Sequence, residues 1–354
     1  MRRFSRYSLS LMFYRNRLLE LAEAMKGRLV VVYGDLVADR FIYGNPKRIS
    51  REAPVLILRQ AREDMLLGGG GNAIHNILTL GGLPMPVSVV GNDREGNALL
   101  ETLAGKGVEC GAIMRLDRYR TPTKTRVLGG MPHSSMQQIV RYDVEDVVEL
   151  NEAETDRFSS ILRDQIAMAQ AALISDYGYG AVTQSLVANL TGFSRGKPVT
   201  LDSRYDLLRY PDVTAATPNE EEAAATAGVA LQSSEDDDAI MFAAQSIQQA
   251  LDSEAVLITR GSRGMALYEK GSDHVLSIPV WGTDQVADVT GAGDTVIAAF
   301  TLALAAGATF PEAAKLANYC GGIVVMKMGT ATVSNEELRH AIERDEELDL
   351  ESVP

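Results

Sequence analysis

The apolar positions of this 354-residue chain fall into short unbroken runs separated by longer stretches with helical spacing. Leu29-Val-Val-Val-Tyr33 is a β-branched run ending at Gly34, the pattern of a strand buried on both faces. Similar runs recur at Val87–Val90, Ala172–Ser175, Pro198–Leu201 and Ala255–Thr259. Between and after them the spacing predicts helices near Asn72–Leu80, Glu95–Lys106, Glu152–Gln170, Thr183–Leu190, Asp236–Leu251, Thr295–Ala306 and Pro311–Lys327. Strands alternating with helices imply a mostly parallel sheet covered on both faces. Two segments break the rhythm, Phe41–Arg59 and Thr123–Tyr142. Their period-two stretches, such as Lys124-Thr-Arg-Val-Leu128 and Gln138-Ile-Val-Arg-Tyr142, suit an antiparallel flap projecting from the main sheet. No Pro/Ser linker divides the chain and no repeat is evident, so one core domain with a lid is expected. The acidic run Ser234-Glu-Asp-Asp-Asp238 reads as a solvated helix start.

Composition narrows the class. Apolar residues make up 46% and charged residues 23%, and no run approaches the roughly 18 to 20 apolar residues of a membrane span. A net charge of −13 argues against nucleic acid or an anionic membrane as partner, because a phosphate backbone is held by clustered Lys and Arg. A phosphorylated small molecule can still bind in a local basic pocket. Cys110 and Cys320 make neither a disulfide framework nor a metal spacing, which fits a reducing cytoplasm. The first 15 residues are basic and free of acid, but Arg15 and Arg17 cut short any secretory apolar core. They read as a loose extension, or as the product of an upstream start codon before Met12, leading into an amphipathic helix over Asn16–Lys26.

The segment Val286–Phe300 carries the most chemistry. Gly291, Ala292 and Gly293 have little or no side chain, so their N–H groups can converge on an anion, and the helix that follows adds its positive end. Asp294 beside such a hole would repel phosphate unless it had a task, and accepting the proton of an attacking alcohol is that task. The plainer alternative is a glycine turn capped by Asp. There is no G-x-x-x-x-G-K-[ST] loop, and the turn after the first strand lacks G-x-G-x-x-G, which argues against P-loop and dinucleotide enzymes. The four histidines, at 75, 133, 274 and 340, have no ligand spacing.

Other candidates surround this segment. Asp35 and Asp39 follow the first strand at the carboxyl edge of the sheet, where carboxylates suit vicinal sugar hydroxyls. Gly69, Gly70, Gly71 and Asn72 open an apolar helix and let backbone approach a ligand. Asn219 and Glu222 have the spacing either of a Mg²⁺–phosphate contact or of a helix capping box. Thr259 and Gly261 end a strand where a nucleotide could lie, or simply make a hairpin turn. Arg48, Arg51, Lys124, Arg126 and Arg141 cluster in the flap, where they either clamp a substrate phosphate or solubilise the surface.

Taken in order, these motifs resemble the ribokinase-type (PfkB) carbohydrate kinase family from about Arg17 to Leu338. The resemblance implies a three-layer α/β/α fold with a mostly parallel central sheet and a small antiparallel β lid. It divides the chain into a helical extension over 1–26, a kinase domain over 27–345 with lid segments 41–59 and 123–142, and a tail over 346–354. It implies Asp294 as catalytic base, Gly291, Ala292 and Gly293 as anion hole, and Gly69, Gly70, Gly71 and Asn72 as sugar-binding motif. Asn219 and Glu222 then stand near Mg²⁺, Arg204, Thr259, Gly261 and Asn318 near ATP, and Asp288 and Thr290 at a K⁺ site found in many members. Asp35, Asp39, Arg126 and Arg141 would hold the acceptor. Exposed flap strands further suggest a homodimer through the lid.

Within the family the likeness is to bacterial D-glycero-β-D-manno-heptose 7-phosphate kinases. It rests on Gly34–Gly44, Arg48–Val55, Thr123–Val127, Gln137–Asp143, Ser175–Gly180 and Gly329–Ser334. Those kinases pass the ATP γ-phosphate to an anomeric hydroxyl. Asp202-Ser-Arg204 stands where they usually read Asp-Pro-Lys, and Arg51 replaces a usual Pro. Alternatives are another acceptor, such as fructose, fructose phosphate or a nucleoside, and a catalytically silent binding protein.

Overall fold

A computed structural model describes residues 15–130, 136–229, 237–282, 287–346 and 348. The sequence readings that fall on residues 1–14, His133, residues 234–236, Val286 and residues 349–354 lie outside these.

Strand β1 (Leu29–Gly34) shows why the fold has three layers. Val30 and Val32 pack into one apolar cluster and Val31 and Tyr33 into another, so alternate side chains of a single strand enter the cores on opposite faces of the sheet. The sheet has nine strands in the order β13-β12-β11-β10-β9-β8-β1-β4-β5. These are β4 (Leu83–Gly91), β5 (Ile113–Leu116), β8 (Ala171–Asp176), β9 (Val199–Ser203), β10 (Ala215–Ala216), β11 (Ala255–Thr259), β12 (Met265–Glu269) and β13 (Leu276–Ile278). All neighbours pair in parallel from β5 to β11, and β12 runs antiparallel to both β11 and β13.

One face is covered by helices α1 (Arg15–Ala24), α2 (Gly70–Thr79), α3 (Arg94–Gly105), α8 (Ala292–Ala305), α9 (Phe310–Val324) and α10 (Asn335–Glu343). The other is covered mainly by α4 (Glu152–Met168), α5 (Gln184–Ser194) and α7 (Asp237–Leu251), with the short α6 (Glu220–Ala227) adding Ala223. Helix α8 is apolar all round and buried from Asp294 to Ala305, which fixes its first turn rigidly against the sheet. Helix α1 is not an appendage to the domain: Leu18, Leu21 and Ala22 are buried in its core. Among the described residues no helix is long and apolar enough to cross a membrane.

The lid is a second sheet, in the order β3-β2-β6-β7, made of β2 (Leu36–Ile49), β3 (Leu56–Gly69), β6 (Thr123–Gly129) and β7 (Gln137–Val144). Two antiparallel hairpins are joined through a parallel β2–β6 pairing. The lid spans Leu36–Gly69 rather than 41–59, and β7 runs on to Val144. Much of β3 is exposed, so its sequence carries little apolar alternation to announce a strand. β5, β10, β13 and α10 lie outside the sequence expectations, the three strands being too short for a periodic signal, and α6 begins at the Asn219–Glu222 spacing that also suits a capping box.

Candidate active site

The site lies where β1 and β8 end, the lid begins and α8 starts. Gly291 is the N-cap of α8 at φ 77°, and a β-carbon there would stand 2.4 Å from Asn72 Nδ2, so both backbone conformation and space demand glycine. The helix begins at Ala292, three residues earlier than its spacing suggests. The first intrahelical bond is Thr295 N–H to Gly291 O at 3.1 Å, so the N–H groups of Gly293 and Asp294 precede the helical ladder. Together with the helix dipole they form an anion-attracting terminus.

Asp294 belongs to that first turn and is 3% exposed. Its Oδ2 accepts from Asn72 Nδ2 at 3.1 Å and its Oδ1 from the Tyr177 hydroxyl at 2.9 Å. Burial raises its pKa to about 6, helped by the charge of Asp39 and opposed by the two donors and by Lys124. The carboxylate is therefore held in place and is more basic than an ordinary aspartate. Asn72 also donates to Gly291 O at 3.2 Å and accepts from Asn76 Nδ2 at 3.2 Å, tying the start of α2 to the start of α8.

The early glycines serve this closeness. Gly69, at φ 56°, would place a β-carbon 2.9 Å from Asp35 O and 3.3 Å from the Tyr177 ring. Gly70 donates to Asp35 O at 2.9 Å, and Gly71 packs between Leu67 and Leu36. Asp35 departs from its predicted role as a sugar ligand. Its carboxylate is 1% exposed and accepts the N–H groups of Tyr177 (2.8 Å), Tyr179 (3.1 Å) and Ala181 (3.1 Å). Because β1 passes directly into β2, Asp35 tucks beneath the loop after β8 and anchors it. Asp39 does face the site, paired with Arg126 Nη1 at 2.5 Å and lying beside Gly68.

Lid strand β6 alternates over its first four residues. Thr123 and Thr125 are buried on one face, while Lys124 and Arg126 share the other, and Lys124 pairs in register with Asp39. Burial lowers the Lys124 pKa, and Arg204 and Arg141 add to the effect. Arg141, by contrast, is spent on Asp143 of its own strand at 2.6 Å and is 43% exposed at the side chain.

Two cavities open on either side of the α8 terminus and share Thr259, Val289 and Gly293. The larger, about 490 Å³, is mostly apolar, with Gly261, Trp281, Val296, Asn318 and Gly322 in its walls. Asn318 donates to Pro279 O at 2.7 Å, fixing the wall that carries Trp281. The Gly261 turn is anchored by Arg260, which meets Asp237 at 3.0 Å and Glu220 at 3.5 Å, and by an Arg263–Glu220 ion pair.

The smaller cavity, about 240 Å³, is acidic, lined by Asp176, Asp202, Glu222 and Asp294 with Arg204 among them. Burial raises Asp202 well above the usual carboxylate range, and Asp294 and Glu222 reinforce it. Asn219 and Glu222 form a complete capping box: Asn219 Oδ1 accepts Glu222 N–H at 2.8 Å, and Glu222 Oε2 accepts Asn219 N–H at 2.9 Å. This leaves Glu222 Oε1 and Asn219 Nδ2 for other partners. Thr217 Oγ1 is buried here without a hydrogen-bond partner. Crowded carboxylates and an orphaned oxygen are a hard donor set suited to a hydrated divalent cation. Asp288, next to the α8 turn, accepts Thr290 N–H at 2.9 Å and Gly329 N–H at 3.0 Å. Burial would raise it, but the Thr290 side chain, these two N–H donors and the charge of Arg126 together outweigh burial and hold its pKa below the usual range. The buried Thr330 Oγ1, in the residue after Gly329, is also without a partner.

Sequence reasoning missed Tyr177, Asp176 and Asp202 as site residues, although Asp176 ends strand β8 and Tyr177 follows it at the carboxyl edge of the sheet, where such folds bind ligands.

A sugar-kinase fold with this site belongs to a defined class. Residues 28–338 match the model of the pfkB family carbohydrate kinases, and the chain belongs to that family. The family is one of carbohydrate kinases, phosphotransferases that act on sugars. Among curated proteins it is 38% identical over 311 residues to the bifunctional protein HldE of Geobacter sulfurreducens, covering 87% of this chain and 61% of that protein. It is 39% identical over 321 residues to bifunctional protein HldE of Mesorhizobium japonicum, covering 90% and 62%. The chain thus spans a little over 60% of the length of these relatives. Its fold is shared with Arabidopsis thaliana ribokinase complexed with ribose and ATP (TM-score 0.66, 19% identity, 90% and 99% covered). It is shared too with Escherichia coli phosphofructokinase-2 in complex with potassium (TM-score 0.69, 20% identity, 90% and 98% covered).

Proposed function

We propose that this chain, acting in the cytoplasm, transfers the γ-phosphoryl group of ATP to the anomeric hydroxyl of D-glycero-D-manno-heptose 7-phosphate, with Asp294 as the base. The observation that carries the reaction is Asp294 itself, oriented by two donors at a helix N-terminus between an apolar and a polar cavity. The acceptor hydroxyl loses its proton to Asp294 as its oxygen bonds the γ-phosphorus and the bond to ADP breaks. Gly291, Ala292 and Gly293 hold the developing charge, and the adenosine lies along Thr259, Gly261 and Asn318. Arg204 and Glu222 face the phosphates, and a Mg²⁺ held there through water would neutralise their charge. Asn219 supports that corner through its cap rather than through its carboxamide oxygen. A K⁺ beside Asp288 and Thr290 would strengthen the anion hole; the phosphofructokinase-2 solved with potassium is a precedent for the ion in this fold.

Asp39, Asn72 and the Gly69–Gly71 turn hold the sugar, and the basic lid face favours an acceptor that already carries phosphate. The sequence stretches shared with heptose 7-phosphate kinases, and the kinship with HldE, support heptose over fructose 6-phosphate. The working unit is residues 27–345 together with helix α1. ADP release from Mg-ATP is expected with the heptose 7-phosphate and at least tenfold less with fructose 6-phosphate, fructose or ribose. Exchanging K⁺ for Na⁺ should lower it. Comparable turnover on another sugar would keep the kinase and discard the heptose.

The lid carries exposed apolar residues, Ile49 at the end of β2, Leu56 on β3, and Val140 and Tyr142 on β7, the last 61% exposed. A second copy of the chain covers them in our reading, so light scattering should give about twice 38.3 kDa. A monomer at micromolar concentration would end this reading.

A further inference from the structure

Behind the wall of the larger cavity lies a buried polar cluster that the reaction leaves unused. Lys315 and Asp345 are 5% and 6% exposed and meet at 2.9 Å. Tyr319, one turn beyond Lys315 on α9 and fully buried, donates its hydroxyl to the same carboxylate oxygen, Asp345 Oδ2, at 2.5 Å. Lys315 Nζ stands 4.9 Å from the centroid of the Tyr319 ring. Arg15 of α1 donates to Asp345 O at 2.8 Å, so α1 and the residues after α10 converge on this tyrosine.

The Tyr319 ring meets Trp281 at 5.6 Å between centroids and 74° between planes, the T-shaped arrangement that aromatic pairs favour. Trp281 lines the larger cavity, whereas Lys315, Tyr319 and Asp345 stand behind it. Two more residues of α9 fix the backbone on which Trp281 sits. Asn318 donates to Pro279 O, and Gly322 lies so close that a β-carbon there would collide with Trp281 O. A buried ion pair is a weak source of stability, because desolvating both charges offsets most of their attraction. Here the pair fixes a hydroxyl instead: with Asp345 held by Lys315 and Arg15, the Tyr319 ring is kept in one orientation against the indole. Resting on the placement of the adenosine along Thr259, Gly261 and Asn318, we propose that Trp281 is the wall against which the nucleotide base packs, and that Tyr319, fixed by Lys315 and Asp345, is the positioning residue that holds this wall. The cluster then sets affinity for the base and leaves the hold on phosphate to the α8 terminus.

The test compares two probes as their Mg²⁺ complexes, AMP-PNP, which carries the base, and tripolyphosphate, which lacks it. Calorimetry gives the Kd of the first, and competition against ATP turnover gives the Ki of the second. AMP-PNP should change the emission of Trp281, the only tryptophan, in the wild-type protein. Tyr319→Leu removes the ring edge and should raise the Kd for AMP-PNP about tenfold. Tyr319→Phe keeps the ring but loses its tie to Asp345, and should raise it about threefold. In both variants the Ki of tripolyphosphate should stay within about twofold of wild type, because the helix terminus that attracts phosphate is untouched. Acrylamide should quench Trp281 of the nucleotide-free variants more strongly than that of wild type. An AMP-PNP Kd within about twofold of wild type in Tyr319→Leu, or in Tyr319→Phe should the former not fold, overturns the proposal even when Tm falls. An equal loss for both probes overturns it too, since the cluster would then support the domain at large. AMP-PNP that binds wild type without changing Trp281 emission overturns the placement of the adenosine as well, whereas failure of the Tyr319 variants alone leaves that placement standing.

Discussion

Asp294→Asn is expected to lower turnover by roughly 10²- to 10⁴-fold while making the folded chain more resistant to denaturation at neutral pH. Both effects come from one burial. The carboxylate is 3% exposed and its pKa lies near 6 rather than 3.8, a shift worth about 3 kcal/mol. A carboxyl group whose folded pKa is raised favours the folded state at pH below the unfolded value, and that contribution is lost as pH rises through the folded value. The loss therefore falls between about pH 4 and pH 6. A carboxamide does not titrate, so the stability of the variant relative to wild type should grow by about 3 kcal/mol across that window and then level off. The replacement can be accommodated, because its oxygen can accept from Asn72 and its nitrogen can donate to the Tyr177 hydroxyl oxygen. Urea titrations at pH 4 and pH 7 measure the difference. Turnover within tenfold of wild type would remove Asp294 as base, and a flat stability difference would remove its raised pKa.

Two neighbouring glycines should behave in opposite ways. Gly291→Ala forces an alanine to φ 77° and drives its β-carbon to 2.4 Å from Asn72 Nδ2, so the amide that orients Asp294 must move. A loss of about 1–2 kcal/mol in stability from the left-handed conformation alone is expected, with turnover down at least about 100-fold. Gly293→Ala meets nothing within 4 Å, and in the first turn of α8 alanine is the better helix former. Its Tm should be unchanged or higher. Yet its methyl enters the mouth shared by the two cavities, where phosphate would approach the backbone, and turnover should fall about 10- to 100-fold. Trp281, the only tryptophan, lines the larger cavity, so its fluorescence can report whether ATP still binds. A Gly293→Ala protein with full activity would show that this backbone does not touch phosphate.

Much of this was legible in the residues alone. The β-branched runs gave β1, β8 and β11, because a strand buried on both faces needs continuous apolar residues whatever its neighbours are. Gly291, Gly293 and Asp294 stood out because few other tasks call for small residues and a carboxylate at the start of an apolar helix. The capping box of Asn219 and Glu222 is equally local, and its spacing already contained the cap that the structure shows.

What remained hidden depends on contacts between residues far apart in the chain. Asp35 and Asp39 look alike in sequence. Only the crossing of the β8 loop over β1 decides that Asp35 holds three backbone N–H groups while Asp39 faces Lys124 and Arg126. Tyr177 meets Asp294 across 117 residues, and Asn72 meets it across 222. The basicity of Asp294 follows from packing as well, since burial, which no local pattern encodes, is its largest cause. Local spacing thus determined the elements and the kind of chemistry, whereas the tertiary fold decided which carboxylate is buried, which is anchored and which donors hold the base.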